Sequence, residues 1–104
     1  MANPLAGEVE IVVDGVSHCC KLTLGAMAEM EATMGAESMV DLVARFESGK
    51  FSSRDVMALV VAGLRGGGWA GTAADLLKAD IEGGAVGAAK AAALLLVRAF
   101  TPPK

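Results

Sequence analysis

The sequence predicts an α+β fold that is mainly α, with an N-terminal β-hairpin followed by four or five short helices. Three observations carry this expectation. Residues 8–23, EVEIVVDGVSHCCKLT, alternate apolar and polar side chains around an Asp14-Gly15 pair. Beyond Thr23 the apolar residues recur at helical spacing, and Ser/Thr-x-x-Asp sequences punctuate the chain. Hydrophobic residues make up 54% of the chain but aromatic ones only 4%, so the core is built from Ala, Val, Leu and Met, which suits packed helices better than a sandwich. With 104 residues and no linker-like run, residues 1–104 are expected to form one domain, the hairpin over 8–23 and the helical part over 24–100.

In the hairpin, Val9, Ile11 and Val13 alternate with Glu8, Glu10 and Val12, and Asp14-Gly15 is a two-residue turn signal. On the return strand Cys20 and Leu22 share a face, opposite Cys19, Lys21 and Thr23. An isolated hairpin is marginal in water, so its apolar face is expected to lie on helices or on a second copy.

Helices are predicted over 24–34, 39–48, 53–65, 73–82 and 85–100. Ser38 with Asp41, Ser52 with Asp55 and Thr72 with Asp75 form three capping boxes, in which the hydroxyl and the carboxylate satisfy unpaired N–H groups of the first turn. Gly35, Gly49, Gly66 to Gly68 and Gly83-Gly84 stand where the preceding helices should end. The segment from Val56 to Leu64 is apolar nearly all round, which marks it as the central helix. Pro102-Pro103 closes the tail.

The first predicted helix carries Met27, Met30 and Met34 along one side. Helical spacing favours a core stripe, and truncating a buried Met of this kind costs about 2–5 kcal/mol. The other reading is a soft surface kept for a partner, or a stripe that closes on the hairpin or on a second copy and reopens on binding. Trp69, in the loop GGGWAGT, either pins that loop to the core or serves as a partner anchor.

Little in the sequence points to catalysis. His18, Cys19 and Cys20 are adjacent on one strand, where neighbouring side chains point to opposite faces, and no second Cys/His cluster completes a metal site. The two cysteines have no distant partner, which fits reduced thiols. The loop from Gly66 to Thr72 has the glycine spacing of a phosphate loop but lacks its lysine, and a helix rather than a strand leads into it. Basic residues are dispersed, which argues against nucleic acid as partner. No apolar run reaches the roughly 20 residues of a membrane span, and no signal peptide is expected, so the predicted location is cytoplasmic. No enzyme activity, cofactor or metal is expected.

Charge is distributed unevenly. Residues 1–47 hold eight acids and two bases, residues 48–104 four acids and seven bases. Such a chain can associate head to tail or offer an acidic face to a basic partner.

ANPLAGEVEIVVDG, followed by KLTLGAMAEMEATMGAESMVDLVARFESGKFSSRDVMALVVAGLRGGG, resembles the small proteins encoded in the tail gene cluster of gene transfer agents, phage-like particles of alphaproteobacteria. These are grouped with phage tail assembly chaperones. The resemblance covers residues 2–68. Its most specific parts are ANPLAGEV, LTLGAMAEMEATMG and RFESGKFSSRDVMAL, although Met27, Met30, Met34 and Met39 stand where leucine is the expected residue. The resemblance implies a non-enzymatic chaperone. It would bind the tape-measure protein, a long helical rod that fixes tail length, until tail tube subunits polymerise around it. The alternative is a structural tail component retained in the particle. The expected partners are the tape-measure protein and tail tube subunits, and a homo-oligomer is possible. Met27, Met30, Met34 and Trp69 are the candidate partner-binding residues.

Overall fold

The computed structural model describes residues 7–33 and 39–99. It is an α+β structure, mainly α. Strands β1 (Val9–Val13) and β2 (Val16–Cys20) are followed by helices α1 (Leu24–Thr33), α2 (Met39–Ser48), α3 (Ser53–Gly66), α4 (Ala73–Leu77) and α5 (Gly84–Ala99).

The strands pair antiparallel, with Val9 opposite Cys20 and Val13 opposite Val16. Asp14 and Gly15 both have positive φ, 50° and 80°, the left-handed pair that lets a two-residue turn follow the twist of its strands. One face of the hairpin, Val9, Ile11, Val13 and Cys20, is buried against α3 and α5, so the apolar face finds its cover within the chain. Lys21 N–H donates to the Gly63 carbonyl at 3.0 Å, fixing the end of β2 to α3.

α3 is the central helix. It packs against α1, α4, α5 and β2, and Leu59, Val60 and Leu64 are fully enclosed. Gly63 faces α5, where an added Cβ would meet the Leu95 side chain at 2.6 Å. Gly66 and Gly67 bring the end of the helix directly onto the backbone of β2. The glycine run that looks like a simple connection in the sequence therefore has a steric task at two of its three positions.

Helix starts follow local chemistry. Asp55 N–H donates to Ser52 Oγ at 3.2 Å and Ser52 N–H to Asp55 Oδ2 at 2.9 Å, a complete capping box. At α4 the Asp75 carboxylate accepts from both the N–H and the hydroxyl of Thr72. Thr23 Oγ1 caps α1 by accepting from Ala26 N–H at 3.0 Å, a cap the sequence pattern missed because no acid follows it. The third predicted box, Ser38 with Asp41, involves a residue outside the described ones, as do Gly35 and the predicted end of the first helix at Met34. At the end of α2, Gly49 takes φ 73° and its N–H donates to the Phe46 carbonyl, while Lys50 N–H donates to Arg45.

One predicted element is corrected. The expected helix over 73–82 stops at Leu77. Its second half leaves the helix because β1 claims it: Ile81 forms an antiparallel bridge with Val13, Glu82 N–H donates to the Val12 carbonyl at 3.0 Å, and Asp14 N–H donates to the Asp80 carbonyl at 2.7 Å. Asp80 N–H also donates to the Asp14 carboxylate at 2.8 Å. The last helix begins at Gly84 rather than at Ala85.

Candidate functional site

Among the described residues, three of the hollows between the helices are apolar grooves, bordered by α3 or α5. The first, about 560 Å³, lies between α1, α3 and α4, with Met30, Met57, Ala58, Val61 and Leu77 as its apolar lining and Glu29, Arg54 and Arg65 at its margins. Leu77 is 69% exposed because α4 is only five residues long and buries Leu76 in its place. The second, about 330 Å³, opens between α3, α4 and α5 and is lined mainly by Phe51, Val56, Met57, Val60, Leu76 and Ile81. The third, also about 330 Å³, separates α2 from α5 along Val43, Phe46, Ala93, Leu96 and Val97.

The predicted partner-binding residues are placed as follows. Met27 is half-buried against the core, Met30 is 4% exposed and forms part of both the core and the first groove, and Met34 lies outside the described residues. Trp69 is half-buried: its N–H donates to the Leu64 carbonyl at 2.9 Å, and its ring lies over Gly71 so closely that a Cβ there would be 2.2 Å away. Arg65 Nη1 holds the same loop by donating to the Gly71 carbonyl at 3.1 Å. Trp69 therefore borders a different hollow, shared with Thr23, Ala26 and Gly66, and is not gathered with Met30.

The methionine that shares a groove with Met30 is Met57, and with Val61, Arg54 and Leu77 it makes up the surface that reasoning from the first helix missed. A signal for it existed. A helix apolar on every side has more apolar faces than its neighbours can cover, and α4 pairs a buried Leu76 with an adjacent Leu77 that must point elsewhere. Met30→Ala should lower stability by about 2 kcal/mol, the low end for a buried Met, because the open groove beside it permits partial collapse. Thermal melts of the variant check this.

Neither thiol is prepared for nucleophilic chemistry. Cys19 is exposed, and its thiol is pushed above the usual range by desolvation and by a hydrogen bond to Glu8. Cys20 is buried, and desolvation, reinforced by the neighbouring Cys19, pushes it up to about 12. An activated cysteine needs the opposite shift. Among the described residues no group of three His, Cys, Asp or Glu is placed to hold a metal ion. Among them, too, no helix is long and apolar enough to cross a membrane.

The strongest polar feature is the corner between α2 and α3. Arg45 donates to Asp55 in a fork, Nη2 to Oδ1 at 2.9 Å and Nε to Oδ2 at 3.1 Å, and Asp55 also completes the cap of α3. Burial alone raises the Asp55 carboxyl, but the Arg45 guanidinium and the Ser52 donors outweigh it and hold it below the ordinary carboxylate range. Beside the ion pair the rings of Phe46 and Phe51 stack 4.5 Å apart at 8°. This corner is the segment RFESGKFSSRD, one of the stretches that carry the sequence resemblance.

Comparison with known proteins agrees with that resemblance at the level of the family. The family model described as phage tail tube protein, GTA-gp10, matches residues 6–101, nearly the whole chain and well beyond the span of the sequence resemblance. The chain has no match among curated proteins or solved structures. An α+β chain that this family model matches from the hairpin through α5 belongs to the phage tail tube protein family GTA-gp10.

Proposed function

We propose that this protein is a non-enzymatic structural component of a phage-like tail, retained in the particle and working through protein–protein contacts. The observation that carries the reading is the match to the phage tail tube protein family over residues 6–101. Three open apolar grooves on a small chain support it, since a subunit placed between neighbours needs unlike surfaces on different sides. The uneven charge, acidic in residues 1–47 and basic in residues 48–104, suits head-to-tail contacts. Quantitative mass spectrometry of purified particles tests the reading. A stoichiometric amount of the chain in finished particles is the expected result, and its absence from them rejects retention.

A second reading is favoured by one observation, the methionine-lined groove formed by Met30 and Met57. Thioether side chains adapt to varied partners, which suits a tail assembly chaperone that holds the tape-measure protein transiently and is displaced by tube subunits. Under this reading, co-expression of the chain keeps the tape-measure protein soluble and the two co-purify, while finished particles lack the chain.

A further inference from the structure

We propose that the groove between α1, α3 and α4 is a docking site for an amphipathic helix of a partner protein, about three turns long, carrying a carboxylate at each end of its apolar stripe. The proposal deepens the reading of the chain as a non-catalytic binding protein and rests on it. The floor of the groove is one face of α3. Arg54, Ala58, Val61 and Arg65 stand at positions i, i+4, i+7 and i+11 of that helix, with Met57 beside them. Eleven residues at 1.5 Å each separate the two arginines by roughly 16 Å along the axis, so the stripe is apolar in the middle with an arginine at each end, Arg65 being shared with Glu29 and the Gly71 carbonyl. Met30 forms one wall and the exposed Leu77 the other.

Charge complementarity selects an acidic occupant. Arg54 is exposed and makes no ion pair with another described residue. Arg65 Nε donates to Glu29 at 2.9 Å, but this pair is open to water, with the Glu29 side chain 62% exposed. Exposed pairs of this kind are worth little and are easily exchanged for another carboxylate. The helices of a second copy do not fit. Glu29 and Glu31 of α1 are two positions apart, Asp41 and Glu47 of α2 six, α3 and α4 carry one acid each, Asp55 and Asp75, and α5 carries none. None matches a spacing of eleven, so the occupant is a different chain.

The probe is a stapled, fluorescein-labelled helical peptide of about fifteen residues, with an Ala/Leu stripe between two glutamates placed eleven apart. Its twin carries lysines in their place. Anisotropy titrations with the full chain should show the acidic peptide binding roughly fivefold or more tightly than its twin, with the difference shrinking in high salt. Arg54→Glu should remove or reverse the preference while leaving the melting temperature unchanged, because the exposed Arg54 takes no part in the cap. Glu29→Gln should tighten binding of the acidic peptide by freeing Arg65. Equal binding of the two peptides, binding of neither, or an unchanged preference in Arg54→Glu overturns the proposal. So does sedimentation showing that the peptide displaces a second copy of the chain. If neither peptide binds while the chain is still recovered with tail particles, the groove assignment falls and the tail reading stands. If the peptide binds as expected but the chain associates with no tail protein, the groove survives as a helix-binding site and the tail reading falls.

Discussion

Gly67→Ala should destabilise the protein by about 3 kcal/mol, the upper end of the usual cost of overpacking. Backbone conformation gives no warning of this, since Gly67 sits at φ −87° and ψ 0°, outside the left-handed region that favours glycine. The obstacle is β2. A Cβ on Gly67 would lie 1.9 Å from the Cys19 carbonyl oxygen, and one on Gly66 2.1 Å from that of Lys21. Both neighbours are backbone and cannot rotate away. Relief requires the strand to lift from the helix, which strains the Lys21 N–H bond to the Gly63 carbonyl and opens the core beneath Cys20 and Leu22. Gly66→Ala makes the sharper test, because helix propensity alone predicts a gain of about 1 kcal/mol there and the packing predicts a loss. Urea unfolding of both variants decides the sign. A stabilised Gly66→Ala would mean that α3 does not rest on β2 in solution.

What could be read from the sequence was what is local. The Asp14-Gly15 turn, the Ser52–Asp55 box and the Gly49 stop each depend on residues within four positions of one another, and each appears in the structure as expected. The fourth helix was overextended for the opposite reason. The residues from Lys78 to Glu82 sit in a helical pattern, but the backbone of Asp80 and Glu82 is taken by Asp14 and Val12, more than sixty residues earlier, and no local signal records that pairing. Packing overrode propensity there. The candidate site divides in the same way. Met30 was visible because its spacing lies within one helix. The groove it borders was not, because Met57, Arg54 and Leu77 come from two other helices, and only the way α3 is shared among its neighbours brings them together. The close approach at Gly66 and Gly67 was equally hidden, since a glycine run reads as a connection until the strand beneath it is known.

Asp55 ties the end of α2 to the start of α3, and Asp55→Ala should cost about 3–4 kcal/mol. Removing one partner of a buried pair is costly, and the lost N-terminal cap adds roughly 1 kcal/mol. The total stays below the extreme for buried pairs because the Arg45 side chain is 26% exposed and regains water when the carboxylate leaves. The same residue sets an acid limit. Its carboxyl is lower in the folded protein than its ordinary value of 3.8, so its stabilisation is fully present above that value. It fades as pH falls through 3.8 towards the folded value and is gone below it. Asp55→Asn keeps the shape but cannot titrate. Subtracting its unfolding free energy from that of the parent at each pH cancels the other carboxylates, and the difference should be flat from neutrality down to about pH 5 and then shrink. A difference that stays constant down to strongly acidic pH would show that the Asp55 carboxyl takes up its proton equally readily in the folded and unfolded states, so that it pairs with nothing. α2 should loosen first during this loss, since Leu42, the Phe46–Phe51 stack and the Arg45 fork are its main attachments, and the groove between α2 and α5 leaves the rest of that interface open. Hydrogen exchange as the pH falls through 3.8 should therefore rise in α2 before it rises in α3 or in the hairpin.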